Sequence, residues 1–310
     1  MGERIDDGAL RELAEKQGGF VLCPQVVAQG VKLGNVAVVL RRAGWTLLHR
    51  GAWAMPGKEV DLRLRLLAVQ ARHPEVVASH SAAAQGHGIE LIRPYKLEVA
   101  ARAKYRVTGG GVVFHTMEPA PEEVTVVAGV RVTTVVRTIG DLLRTLPLHE
   151  AVIAADSVLG KDLARRTEIK EGLKAGRGRS NTGGALFALG LATHLSESVA
   201  ESKARLEMRD AGLFPELQVA VVTSNGGTRR LDFFFREEGL AVEIEGFTWH
   251  GSRRAHQADT ARFNELSGCA EVRQVLRFTR DDVFYRPRLM IRTIRQALDG
   301  LRGQRGRSLL

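Results

Sequence analysis

The sequence predicts an α/β multidomain protein, and three observations carry that expectation. At 310 residues the chain is long enough for two or three domains, each burying its own core. Hydrophobic residues make up 44% and charged residues 26%, the balance of a soluble globular fold. Helical and strand periodicities come in separate blocks, and the run Gly176-Arg177-Gly178-Arg179-Ser180-Asn181-Thr182-Gly183-Gly184 divides them as a linker would. The expected organisation is an N-terminal domain at 1–56, an α+β middle domain at 57–175, a linker and connecting helix at 176–195, and at 196–310 an α/β sandwich on a central mixed sheet.

The first block reads as three helices and a hairpin. Leu10, Leu13 and Ala14 form one stripe on a helix from Gly8 to Gln17. A second helix follows Phe20-Val21, opened by Pro24 in its first turn and closed near Gly30. A third runs from Val36 to Ala43 and carries Arg41 and Arg42. Trp45 to Arg50 and Ala52 to Met55 are two strands turning at Gly51. Three helices then a hairpin is the order of a winged helix, whose third helix enters the DNA major groove. Small three-helix units also serve as protein-docking modules, and the pattern leaves both open.

In the middle block, Asp61 to Arg72 is amphipathic, with Leu62, Leu64, Leu66 and Leu67, and His73-Pro74 stops it. Another helix begins at His80, the Val-rich alternation from Lys96 to Val132 predicts a small sheet, and helical spacing returns over Thr133–Leu146, His149–Leu159 and Asp162–Lys174. The glycine-rich run reads as a hinge, or as a segment lying along phosphates. Beyond it the spacing predicts a helix from Ser196, its N-cap, to Ala211, stopped by Gly212. Strands follow near Leu217–Thr223, Arg229–Phe235 and Leu240–Glu245, then a helix over Arg254–Leu266, a strand over Val272–Phe278 and a helix over Pro287–Leu301.

The formal net charge is +10, which favours polyanionic partners. From Gly251 onward there are thirteen arginines, no lysines and six carboxylates, and the arginine fork suits phosphate. A GC-rich genome also yields such a composition. No run reaches the ~18 apolar residues of a membrane span and no leader-like segment opens the chain, so a cytoplasmic protein with no membrane partner is expected. Cys23 and Cys269 are the only cysteines. Lacking any CxxC or Cys/His cluster, they read as buried free thiols rather than zinc ligands or a disulfide.

The chemistry-bearing pattern lies in Leu231-Asp232-Phe233-Phe234-Phe235 and Ala241-Val242-Glu243-Ile244-Glu245. Each is an apolar strand interrupted by acid. Positions two apart share a face, so Glu243 and Glu245 point the same way, and Asp232 joins them if the strands are neighbours. Converging carboxylates are costly without a cation or proton, and their hard oxygens suit a divalent ion. The alternative is a solvated acidic face on an edge hairpin. Against it stand the apolar neighbours on both strands and the segment Gly246-Phe247-Thr248-Trp249-His250-Gly251. A histidine at the mouth of a carboxylate cluster is a candidate general base, and adjacent aromatics can wedge between bases.

Asp232, a spacer, then Glu243-x-Glu245 resembles the PD-(D/E)xK nuclease pattern, and Glu245 to Gly251 resembles the segment of very-short-patch repair endonucleases that holds wedging aromatics and a catalytic histidine. The likeness covers about a third of the chain. It implies a restriction-endonuclease-like sandwich with catalytic Asp232, Glu243, Glu245 and His250, with Asp232 and Glu243 holding Mg²⁺ or Mn²⁺, and with Phe247 and Trp249 against DNA. Glu201, in Ser198-Val199-Ala200-Glu201, matches the helix acid that this superfamily often aims at its site. Arg253, Arg254 and Arg262, with Arg41, Arg42 and Arg50 in the first block, complete the expected DNA-binding set. Two departures are evident: Glu245 stands where the pattern has Lys, and the zinc-binding cysteines of the repair enzymes are absent. The N-terminal half is similar to AbiEi-type antitoxin and regulator proteins through Arg50-Gly51-Ala52-Trp53-Ala54-Met55-Pro56, Ser79-His80-Ser81-Ala82-Ala83 and Val136-Arg137-Thr138-Ile139-Gly140-Asp141-Leu142.

These readings predict a DNA-binding protein with a Mg²⁺-dependent endonuclease domain acting in defence or repair, a homodimer remaining open. The alternative is a transcriptional regulator or antitoxin in which an inactive nuclease fold only grips DNA. A protein-docking module without nucleic acid is the third.

Overall fold

The computed structural model describes residues 6–102, 111–176, 179–223, 226–245 and 269–308, with side chains to 304. The chain divides into two compact units, one of Met1–Thr145 with Arg166–Ala185, the other of Leu146–Arg165 with Leu186–Leu310. Both are mixed α/β. Among the described residues no helix is long and apolar enough to cross a membrane.

The first unit opens with α1 (Asp7–Lys16), β1 (Phe20–Leu22), α2 (Cys23–Ala28), α3 (Val36–Arg42), β2 (Thr46–His49) and β3 (Ala52–Ala54). Asp6 caps α1 by accepting the Ala9 N–H at 3.1 Å. Gly51 turns the hairpin with φ +94°, a left-handed angle that glycine adopts without strain. Phe20–Leu22 is itself a strand, and the antiparallel order is β1-β3-β2. Leu10, Val26, Val36, Leu40, Trp45 and Trp53 close the core over it. Cys23 is only half-buried at the start of α2, whereas Cys269 is buried, and neither is joined in a disulfide.

This segment does not finish its own core. Phe20, Leu48, Ala52 and Ala54 pack against Leu64 and Ala68 of α4 (Leu62–Arg72), whose N-cap is Asp61. Severing the chain near residue 56 would expose that seam. Beyond α4 come β4 (Val77–Ala78), α5 (His80–Gly86), β5 (Leu97–Ala101), β6 (Val112–Thr116), β7 (Val124–Val127), β8 (Val130–Thr133) and α6 (Val135–Thr145). The strands form a mixed sheet in the order β6-β5-β4-β8-β7.

The second unit takes α7 (Leu148–Gly160), while α8 (Arg166–Ala175) returns to the first. Asp162, with φ +51°, breaks the helix expected from that residue onward, so α8 starts at Arg166. The described residues of the glycine-rich run carry more structure than a hinge. Arg179 donates to Glu123 at 2.9 Å, Asn181 donates to the Arg144 carbonyl at 3.0 Å, and α9 (Thr182–Leu191) begins inside the run.

The second unit continues with α10 (Val199–Asp210), β9 (Glu216–Val222), β10 (Thr228–Phe235), β11 (Leu240–Glu245), β12 (Gln274–Thr279), α11 (Arg280–Tyr285) and α12 (Pro287–Ser308). The helix expected over Arg254–Leu266 lies outside the described residues. The sheet order is β12-β11-β10-β9, antiparallel except for the parallel β11–β12 pair. On one face Phe233, Phe235, Val242 and Ile244 pack with Ala204 and Met208 of α10 and with Met290 and Ile294 of α12. On the other, Val219, Val221, Leu231, Phe234 and Ala241 meet Cys269 and Val272. Ser198, not Ser196, caps α10: its hydroxyl oxygen accepts the Glu201 N–H at 3.1 Å and donates to the Glu201 carboxylate.

Candidate functional site

The two acid-bearing strands are neighbours, and their pairing opens at the acids. Phe233, Phe234 and Phe235 pair with Val242, Ala241 and Leu240. The next antiparallel step would set Asp232 opposite Glu243, and the regular ladder ends before it. Carboxylates replace the backbone bonds there: Asp232 Oδ2 accepts the Ile244 N–H at 2.8 Å, and Glu243 Oε1 accepts the Asp232 N–H at 3.2 Å. Each acid is therefore held by the backbone of the other's strand. Glu243 is buried and Asp232 half-buried.

The opposite edge of β10 is irregular at the same level. Residues Thr228 to Leu231 and Phe233 to Phe234 pair with β9 in one register, and the Asp232–Gln218 step is skipped. Gln218 has φ +51°, a conformation that non-glycine residues rarely adopt inside a strand. Strict alternation would put Leu231 and Phe233 on one face. Instead Leu231 joins Phe234, whereas Phe233 belongs to the opposite core. The sheet changes sides at Asp232.

Glu201 reaches this level from the first turn of α10. Its carboxylate accepts the Glu197 N–H at 2.9 Å, the Ser198 hydroxyl at 2.8 Å and the Gln218 amide at 3.0 Å. Burial raises its pKa and the charge of Asp232 pushes the same way, against the Glu197 bond. Glu201 and Asp232 thus sense each other. An acid raised in this way makes a contribution to stability that falls as pH climbs through the usual carboxylate range.

Glu245 departs from the expected convergence. At the end of β11 it pairs with Arg277 Nε of β12 at 3.1 Å. The parallel register sets Arg277 beside Glu243, so the guanidinium draws Glu245 toward the sheet's β12 edge. Among the described residues, no group of three or more His, Cys, Asp or Glu side chains stands ready to enclose a metal ion. The three-acid centre is reduced to an acid pair, Asp232 and Glu243, with Glu201 nearby. His250, Phe247, Trp249, Arg253, Arg254 and Arg262 lie outside the described residues. Arg41 and Arg42 end α3 and Arg50 sits in the hairpin turn, all exposed. Arg41 also lies 5.5 Å over the Trp53 ring.

Sequence reasoning missed Gln218 and Arg277. A lone amide between Leu217 and Val219 was the available signal for the first. For the second only the parallel register, invisible along the chain, brings Arg277 to Glu245.

The first unit holds a polar cluster where two short sequence motifs meet. His80, buried and with φ +48°, stacks on His115 with ring centroids 3.6 Å apart. His115 Nε2 lies 3.3 Å from Glu98, which also accepts the Ser81 N–H at 2.9 Å. Burial, then the neighbouring His115, pushes His80 down to about 4. Burial opposes ionisation of Glu98, but bonds from His115 and Ser81 outweigh it and hold the carboxyl at about 2. Between the ordinary histidine value and 4, the unfolded chain takes up a proton that folded His80 refuses. Stability should therefore fall with pH across that window, by on the order of 3 kcal/mol. Glu98 adds a further loss only as pH falls from the usual carboxylate range toward 2. Melting curves from pH 7 to 4 check this: His80→Asn, which tolerates the left-handed backbone, should flatten the decline. An identical decline in the variant contradicts the assignment.

No protein-family model matches the chain. It is similar to uncharacterized proteins from two strains of Mycobacterium tuberculosis, CDC 1551 / Oshkosh and ATCC 25618 / H37Rv, each 33% identical over 127 residues. The match takes in 41% of this chain and 47% of each relative, so the chain spans about half the length of the curated relatives it matches.

Proposed function

We propose that the chain binds DNA and hydrolyses its phosphodiester backbone with Mg²⁺ or Mn²⁺, in defence against foreign DNA or in repair. The observation that carries this reading is the opened β10–β11 pairing, where Asp232 and Glu243 stand side by side on backbone N–H groups. The donor set fits the ion: hard carboxylate oxygens suit Mg²⁺, which keeps several waters and is often bound by only one or two carboxylates. Bound there, the ion would polarise the phosphodiester and acidify an attacking water. Asp232 and Glu243 would hold it, and Glu201 adds negative charge beside Asp232.

The first unit supports DNA as the partner. Three helices, an early strand and a hairpin in the order β1-β3-β2 have the layout of a winged helix, with Arg41 and Arg42 on the third helix. Each phosphate contact releases counterions, so losing one lowers the log–log salt slope of binding by about 1. Arg42→Ala should show that reduction across a salt series. Unchanged slope and affinity in the Arg41, Arg42 and Arg50 alanine variants alike would move the segment to protein docking.

A second reading has its own support. Glu245 stands where the nuclease pattern has Lys and is paired with Arg277, which suits a regulator or antitoxin that grips DNA without cutting it. Incubating supercoiled plasmid with the protein, with Mg²⁺ or with EDTA, separates the two. Mg²⁺-dependent nicked or linear product supports the nuclease, and retention of DNA on filters without product supports the regulator.

A further inference from the structure

The sequence from Val283 to Leu298 carries four arginines and no carboxylate, lysine or histidine. It closes α11 and forms the first half of α12. Two of the four arginines are held: Arg286 pairs with Asp282 at 3.0 Å, and Arg295 donates to the Ala211 carbonyl at 2.7 Å. Arg288 and Arg292 are exposed, and among the described residues neither meets an acid. Other exposed arginines of this unit do, Arg236 with Glu216 and Glu271, and Arg302 with Glu238. Helix stability disfavours the arrangement on α12. Like charges four residues apart repel each other. The positive end of the helix dipole, in a first turn without acids, repels Arg288 as well.

Spacings of four and three residues put Arg288, Arg292 and Arg295 in one row on the outer face of α12, about 10 Å long at ~1.5 Å per residue. The opposite face, with Met290, Ile294 and Leu298, is buried in the core of the second unit, so the helix has no free apolar face to lay into a membrane. Tyr285, 74% exposed, stands just before the row with a hydroxyl that can donate to a phosphate oxygen. The far end of α12 meets the start of β12 and the β10–β11 turn, through Arg273 on the Leu301 carbonyl and Arg302 on Glu238. The row therefore lies toward the other end of the sheet, where β12 sets Arg277 beside Glu243 and Thr279 beside Glu245. We propose that Arg288, Arg292 and Arg295 form a second DNA surface, carried by the second unit, that grips the phosphate backbone of a duplex. It rests on the DNA-binding reading above, and it adds to the α3 contact of the first unit a grip in the unit that holds Asp232 and Glu243.

Fluorescence anisotropy of a labelled duplex oligonucleotide with the full chain, across a salt series and without divalent metal, tests this. Arg288→Gln with Arg292→Gln removes two phosphate contacts, so binding should weaken and the log–log salt slope should fall by about 2. Melting of that double variant should stay at or above wild type, because the like-charge repulsion goes with the arginines. Arg102→Gln with Arg236→Gln removes the same net charge from acid-paired positions and should leave the slope near wild type. An equal fall in both double variants overturns the surface in favour of net charge alone. Wild-type slope and affinity in the Arg288 and Arg292 variant overturn the surface and leave the DNA-binding reading standing. The same result, with the variant losing co-sedimentation with phosphatidylglycerol vesicles that wild type shows, overturns it in favour of an anionic membrane. Failure of wild type to bind the duplex overturns the DNA-binding reading and this surface with it.

Discussion

Glu243→Gln should lower Mg²⁺-dependent cleavage by at least ~10²-fold, the typical effect of removing one preorganised electrostatic group, and leave DNA affinity in place. The substitution is nearly isosteric. A glutamine Oε1 can still accept the Asp232 N–H that Glu243 Oε1 accepts at 3.2 Å, so the opened pairing of β10 and β11 persists. What disappears is one buried negative charge from a site that also holds Asp232 and, close by, Glu201. Removing repulsion among them should leave the melting temperature equal to or above that of wild type. A structural acid behaves the other way, losing stability and leaving cleavage untouched. Single-turnover cleavage and thermal melting of the same preparations distinguish the two patterns.

The largest stability loss is expected from Arg137→Ala in the first unit. Arg137 is 4% exposed and donates to Asp141 Oδ2 at 2.8 Å, and Asp141 is itself only 3% exposed. Glu123 and Met117 Sδ take the other guanidinium nitrogens. Truncation leaves Asp141 ionised and unpaired in the core, a fault that costs about 3–5 kcal/mol. The double variant Arg137→Met with Asp141→Leu removes both charges and should recover part of the loss, because apolar replacement of a whole buried pair is often neutral or stabilising. Urea unfolding measures both. A loss below about 1 kcal/mol for Arg137→Ala would show that water or another cation serves Asp141.

These two sites differ in how much of them the sequence carried. Local signals were legible: Pro24 opening α2, Gly51 turning the hairpin, Asp61 before α4 and Gly212 ending α10 each act within one turn of chain. Ser198-x-x-Glu201 was equally local, and it set both the helix start and the direction of the Glu201 carboxylate. Three-residue β1 escaped notice because so short a strand shows no alternation. α11 was missed although Thr279 and Asp282 form a capping box, and Gly183-Gly184 hid where the connecting helix α9 begins.

What no local pattern contained was pairing between distant strands. Leu231-Asp232-Phe233-Phe234-Phe235 reads as one continuous apolar strand with a single acid, and the change of face at Asp232 depends on Gln218 across the sheet. Glu245 shares a parity with Glu243, so alternation placed it in the site. The parallel partner β12 brought Arg277 to it instead. The acid pair was therefore legible from two strands of sequence, and its limits were set by register.

Side-by-side nicking of supercoiled plasmid by wild type and Asp232→Asn, purified identically and assayed with Mg²⁺ and with EDTA, tests the central claim most directly. The acid-pair account predicts nicking by wild type that requires Mg²⁺, and a rate at least ~10²-fold lower in Asp232→Asn with filter binding of DNA retained. Equal nicking by the two proteins, or none by wild type while it binds DNA, would contradict a nuclease built on Asp232 and Glu243.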